Sequence, residues 1–204
     1  MVSVKLNNRV GDGPIMARKK RIWMPNAFYH VVCRGNRRDP LFIDAGDYKT
    51  FLYLLRKVHE KTPFELASYC LMTNHFHLQL RSKEQPISKV MSLINKRYAD
   101  YYNTKYKFTG HVFEKRYFDE IIEPGTGMIK VSRYIQLNPV KAEMVERPEQ
   151  YPWSSYRYYL HTLGNGMLVM DEVLAYFTGD EVGKRMRYKE FMETKEEESG
   201  FQNV

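Results

Sequence analysis

The residues of this chain best suited to chemistry are two imidazoles separated by one phenylalanine, His75-Phe76-His77. They lie in an alternating run from Leu71 to Leu80, whose period of two predicts a β-strand with Phe76, Leu78 and Leu80 facing a core. His75, His77 and Gln79 then share the opposite face. At a rise of ~3.3 Å per residue the two imidazoles stand roughly 6–7 Å apart at the backbone and can converge on one divalent cation. The same pattern also fits histidines that merely decorate a half-exposed sheet face. A second set lies downstream, in Arg133-Tyr134-Ile135-Gln136-Leu137-Asn138-Pro139-Val140-Lys141. On a helix, Tyr134 and Asn138 are four residues apart and project from one side, so a phenol nucleophile and an amide oxygen would reach the sheet face together. Pro139 disfavours helical geometry at the residue before it, which predicts Asn138 at the end of that helix. The plainer alternative is a core tyrosine and a C-terminal cap.

Positioning these groups requires strands and helices, and the apolar spacing supplies both. Strands are expected at 28–34, 64–72, 74–81 and 117–123. Tyr48, Phe51, Leu52, Leu55 and Val58 follow helical spacing over 47–61, with Asp44 placed to cap the start. Pro86 opens a second helix through Tyr102, and a third runs over 128–138. The order β-α-β-β-α-β predicts an α+β fold, a ferredoxin-like antiparallel sheet with helices on one face and the other face left free. Residues 16–160 form the main domain on this reading, and 161–204 a C-terminal helical extension with pieces at 171–177 and 181–193. Residues 1–15, polar and broken by Gly11, Gly13 and Pro14, read as a flexible leader, and 195–204 as a frayed polar end.

With 43% hydrophobic and 14% aromatic residues, the chain has the material for a proper core, which excludes a disordered protein. Its 32 lysines and arginines against 24 acids leave a formal charge of +8, which favours a polyanionic partner. Bases interleave with aromatic residues in Lys96-Arg97-Tyr98, Lys105-Tyr106-Lys107-Phe108 and Lys115-Arg116-Tyr117, a mixture suited to phosphate contacts with base stacking. Arg34, Arg37 and Arg38 are placed to reach the same groove, and Arg18-Lys19-Lys20-Arg21 is either a basic clamp or a solvated tail. Cys33 and Cys70, the only cysteines, read as reduced and buried, and no zinc motif is available. No stretch has the length of a signal peptide or a membrane span, so a cytoplasmic enzyme or binding protein is expected, with no membrane partner.

Five separated blocks carry a resemblance. They are Met72-Thr73-Asn74-His75-Phe76-His77-Leu78, the Tyr98 to Asn103 turn, Gly110 to Tyr117, Tyr134 to Ala142, and Tyr151-Pro152-Trp153-Ser154-Ser155-Tyr156. In order and spacing, from residue 16 to 160, they resemble the single-tyrosine HUH transposases, in particular the REP-associated tyrosine transposases. The resemblance implies that His75, His77 and Asn138 hold a divalent cation, Mg²⁺ or Mn²⁺, and that Tyr134 is the nucleophile. It implies a 5′-phosphotyrosyl enzyme and a free 3′-hydroxyl as products, with single-stranded DNA bearing a hairpin and a short adjacent recognition sequence as substrate. Many transposases of the wider class carry glutamine where this chain has Asn138. Gln136 lies on the wrong helical face to replace it, and Gln79 is placed to support the ligands. Tyr98, Tyr101, Tyr102, Tyr106 and Tyr117 suit a helix interface or a strand better than nucleophilic attack.

Two other functional classes share these features. A four-stranded sheet with basic and aromatic residues also describes noncatalytic RNA-recognition modules, and a metallophosphoesterase would use water in place of Tyr134. Whether the chain acts as monomer or homodimer, and whether Tyr134 serves its own subunit, stays open in the sequence.

Overall fold

The computed structural model describes residues 23–162 and 166–194. The expected leader, the basic run from Arg18 to Arg21 and the polar end from Lys195 lie outside the described residues. Four strands form: β1 (Tyr29–Arg34), β2 (Glu65–Leu71), β3 (His75–Arg81) and β4 (Phe118–Ile121), the first three buried along almost their whole length. They pair antiparallel in the order β2-β3-β1-β4, the ferredoxin-like order that the sequence predicts. Val31, Cys33, Phe76, Leu78 and Leu80 point to one face and are almost fully buried there. Two helices cover that face, α1 (Ala45–Lys61) and α2 (Ile87–Tyr106). Asp44 caps α1 as expected, accepting from the Gly46 and Asp47 amides at 2.7 and 3.1 Å, while the Asp47 carboxylate returns to the Asp44 amide at 3.0 Å.

Two boundaries differ from the spacing-based ones. α2 runs one turn beyond Tyr102 and stops only at Lys107, in the left-handed region at φ 49°. That turn brings Tyr106 onto the Asp47 carboxylate at 2.7 Å, a buried anchor that outweighs the polar sequence around it. β4 is shorter than the alternation suggests, and its outer residues Phe118 and Ile121 are exposed.

The second sheet face is not free, contrary to the expectation from element order. α3 (Thr126–Lys141) packs on β2 and β3. Behind it lie the short α4 (Tyr156–Leu160) and α5 (Asp171–Leu174), then α6 (Glu181–Glu193). The reason is chemical: on this face β2 presents Ala67 and Cys70, followed by Met72. These join Met128, Val131, Ile135, Tyr159 and Tyr188 in a second apolar cluster. The outer edge of β2 is closed as well. Leu71 donates to the Trp153 carbonyl at 3.0 Å, and the Tyr69 and Leu66 carbonyls accept from Ser155 and Val169 at 2.9 Å each. Cys33 and Cys70 are buried and in no disulfide, as expected. Among the described residues no helix is long and apolar enough to cross a membrane.

Candidate active site

Alternation along β3 turns His75 and His77 toward α3. The His77 ring lies 4.9 Å from that of His75 and 5.7 Å from that of Tyr134, centroid to centroid. The structure therefore unites the strand pair with the helix-borne phenol. A third imidazole joins them that the sequence reading did not single out: His30 of β1, whose Nε2 lies 2.9 Å from His77 Nδ1 and whose ring is 5.6 Å from Tyr134. Its signal was available, because alternation back from Arg34 places Val32 and His30 on the same face.

The hydrogen bonds set the tautomer of His75. Asn74 Nδ2 donates to the Arg38 carbonyl at 3.1 Å, so its Oδ1 is the atom 2.8 Å from His75 Nδ1 and must accept. His75 then carries its proton on Nδ1 and leaves Nε2 as a lone pair. His77 Nε2 is buried and has no hydrogen-bond partner, and a proton on Nδ1, donated to His30, leaves that nitrogen free in the same way. Burial holds His30 down at about 4, and burial with the Arg34 charge does the same for His75. His77 is held well below the ordinary imidazole value, by burial first and then by the neighbouring His30, His75 and Arg34. All three imidazoles are thus neutral at physiological pH, the state in which a ring nitrogen ligates a cation.

Tyr134 is half-buried, so the residue as a whole is not sealed in the interior. Burial pushes its phenol above the ordinary value, while the Asn138 side chain and the Arg34 charge pull it back. Lys141 Nζ stands 5.4 Å from the ring centroid, a cation two turns along the helix to which the sequence reading gave no role. Asn138 corrects one expectation. α3 continues through Pro139 to Lys141, so Asn138 is not its end. Its Nδ2 donates to the Tyr134 carbonyl at 2.8 Å, an extra bond in the turn where proline removes a donor. Oδ1 is then the amide atom left for a cation.

Gln79 turns its Nε2 to the Met128 carbonyl at 3.1 Å and so holds the first turn of α3 to the sheet. Gln136 faces away, donating to Ser155 Oγ at 2.7 Å. The rival tyrosines have structural roles: Tyr98 and Tyr102 donate to the Leu41 and Pro40 carbonyls, and Tyr101 and Tyr106 to Asp47. Tyr117 is buried.

Among the cations expected to meet nucleic acid, Arg34 lies directly across from His75 in the β1–β3 register. Arg37 and Arg38 follow in a tight turn at φ 54° and 65°, exposed and in the left-handed region, at a strain of about 1 kcal/mol each. Gly35 makes that turn possible, since a Cβ there would stand 2.2 Å from the Asp39 carbonyl oxygen. Lys96, Lys115 and Arg116 line one groove beside α2, and Arg97 is not among its lining.

Among the described residues no cluster of three or more histidine, cysteine, aspartate or glutamate side chains is placed to hold a metal ion. Any cation here would rest on two imidazoles and a neutral amide, a donor set that leaves positions for water and phosphate. An unpartnered, buried imidazole nitrogen in that set fits a divalent cation.

Fold and site together define a class: ferredoxin-like proteins whose sheet carries an imidazole pair beneath a helix-borne tyrosine. Within that class the chain belongs to the IS200-like transposases, whose family model matches residues 24–138 and so includes both the strand histidines and Tyr134. It is a DNA-processing enzyme of transposition. Among solved structures, that of a REP-associated tyrosine transposase bound to a REP hairpin matches with a TM-score of 0.62 at 19% identity, covering 81% of this chain and 93% of that one. At that identity the likeness is one of fold. A putative transposase from Deinococcus radiodurans, 17% identical, matches over 58% of this chain and 95% of its own with a TM-score of 0.42. No curated protein matches the sequence.

Proposed function

We propose that this transposase cleaves and rejoins single-stranded DNA at hairpin or repeat-associated sites through a 5′-phosphotyrosyl intermediate on Tyr134. The observation that carries the reading is the Tyr134 ring 5.7 Å from that of His77, whose Nε2 is buried and unpartnered. His75, His77 and Asn138 would hold the cation, Mg²⁺ or Mn²⁺. When bound, it supplies charge neutralisation at a nonbridging phosphate oxygen.

The chain's own residues do the rest. Tyr134 Oη attacks phosphorus in line, the P–O3′ bond breaks, and the departing oxygen takes a proton to become a 3′-hydroxyl. The phenolic proton leaves to solvent. Burial keeps that proton on the resting phenol, the Asn138 side chain and the Arg34 charge oppose this by favouring the phenolate, and Lys141 adds a positive charge beside the ring to meet the phosphate. The phosphotyrosyl bond retains the phosphodiester energy, so the same or another 3′-hydroxyl reverses the step without ATP.

The test is a labelled hairpin oligonucleotide incubated with Mn²⁺ and run under denaturing conditions. Wild-type protein is expected to carry a covalent DNA adduct and Tyr134→Phe none. Cleavage that survives the substitution would assign the nucleophile to water, and binding without cleavage by the wild type would leave a noncatalytic DNA-binding protein.

A further inference from the structure

Formation of the phosphotyrosyl bond leaves one proton without a source. A tyrosine phenol has an ordinary pKa near ~10, whereas the 3′-oxygen it displaces departs as an alkoxide about as basic as hydroxide, whose conjugate acid, water, lies near ~15.7. The departing oxygen is thus more basic than the attacking one by roughly six powers of ten, and a cation at a nonbridging oxygen does not supply the proton it needs. Most ionisable neighbours of Tyr134 do not supply it either. His75 and His77 turn lone pairs, not protons, toward a cation. His30 is neutral at physiological pH, because burial holds it down at about 4. Arg34, whose charge reaches Tyr134, is a guanidinium and keeps its protons. Lys141 differs from all of these: it bears a transferable proton on a flexible four-carbon stem, and its Nζ stands 5.4 Å from the Tyr134 ring centroid.

The course of α3 puts it there. Tyr134, Asn138 and Lys141 are spaced i, i+4, i+7 and form one stripe of the helix. A helix that ended at Asn138 would leave Lys141 off that stripe. Instead α3 continues through Pro139, and its last turn is closed by the Ala142 and Met144 amides, which donate to the Asn138 and Pro139 carbonyls at 2.9 Å each. Exposure rises along the stripe, from the half-buried Tyr134 and Asn138 to the exposed Lys141, so a strand that reaches Tyr134 from solvent meets the ammonium beside it. A lysine in the last turn of a helix is also favoured by the helix dipole, a role that takes no account of which atom leaves phosphorus.

We propose that Lys141 is the general acid of strand cleavage. As the P–O3′ bond breaks, its electron pair stays on O3′, a proton passes from Lys141 Nζ to that oxygen, and Lys141 is left as a neutral amine. In rejoining, the amine takes the proton back from the attacking 3′-hydroxyl as the P–Oη bond breaks. The proposal rests on the reading of Tyr134 as the nucleophile.

A hairpin oligonucleotide with sulfur in place of the scissile 3′-oxygen tests it, because a thiol has an ordinary pKa near ~8.5 and leaves as the thiolate without a proton. Single-turnover adduct formation by the full chain in Mn²⁺ is compared on the oxygen and sulfur substrates. Lys141→Ala is expected to slow the oxygen substrate by about 10²–10⁴-fold and to match the wild type on the sulfur one, which also shows that the variant is folded. Lys141→Arg, which keeps the charge but not the transferable proton, should give the same pattern. An equal loss on both substrates, or no loss on oxygen, overturns the assignment. The two readings fail separately: a wild type that forms no adduct on either substrate sinks the Tyr134 chemistry and the acid with it, whereas a wild type that reacts while the Lys141 variants lose both substrates alike sinks the acid alone.

Discussion

His77 shows how far one side chain can be specified by its neighbours. Its Nδ1 is committed to His30 at 2.9 Å, and its Nε2 is buried without a partner beside Tyr134. A buried polar atom with nothing to bond is unfavourable by roughly 1–3 kcal/mol, so the site holds an imidazole the fold alone does not satisfy. His30 has a part in this: with His77 donating from Nδ1, His30 accepts and holds the ring orientation that leaves Nε2 available. His30→Ala is therefore expected to weaken Mn²⁺ binding by about 10–100-fold, read by titrating the free ion in electron paramagnetic resonance. His30→Gln, whose amide oxygen accepts, should recover part of that loss. An unchanged Mn²⁺ affinity in the alanine variant would reduce His30 to a packing residue. The strand pair and Tyr134 were legible in the sequence because each follows a local period. His30 was not singled out, since alternation gives the face a residue occupies and not the partner it finds across a neighbouring strand.

At the scale of elements, the α1–α2 pair is locked by a buried acid. The Asp47 side chain is fully buried, yet it receives the Ile43 and Asp44 amides, the Tyr101 and Tyr106 hydroxyls, and Lys105 at 2.7 Å. Burial raises its carboxyl, but Lys105 and the other donors outweigh that and hold it at about 2. Because the folded value lies below the unfolded one near ~3.9, the ion contributes stability above that pH and loses it as the pH falls through about 2. Asp47→Asn should lower the unfolding free energy at neutral pH by about 2 kcal/mol, seen as a reduced urea midpoint, and the gap to wild type should narrow below pH ~4. Equal midpoints at neutral pH would show the cluster contributes nothing. The start of α1 was legible because Asp44 and Asp47 form a local capping box. The end of α2 was not, because Tyr106 gains its anchor from a helix almost sixty residues away in sequence. Pro139 misled for a similar reason: its local preference was overridden by the burial of α3 on the sheet, with the Asn138 side chain bonding back to the Tyr134 carbonyl.

Taken whole, the molecule is two cores on one sheet, and only the first was readable from the sequence. Its helices, α1 and α2, are long enough to show a period. The second core draws on Tyr151, Tyr156, Tyr159, Val173, Leu174 and Tyr188, carried partly by helices of five and four residues that are too short to display one. That core seats α3, and with it Tyr134, over the histidines of the same chain. The seating bears on a question the sequence left open. The distance of 5.7 Å between the Tyr134 and His77 rings is reached within a single chain, so the site needs no tyrosine exchanged from a second copy. Mixing His77→Ala with Tyr134→Phe protein distinguishes the arrangements. If each tyrosine served a partner's histidines, a mixed dimer would contain one intact site and would form the DNA adduct. The geometry here puts one lesion in every site whichever chains associate, so the mixture is expected to be as inactive as either variant alone. Restored adduct formation would mean that α3 leaves its own sheet in the working enzyme, and the second core would then have to open at its contacts with Ala67, Cys70 and Met72.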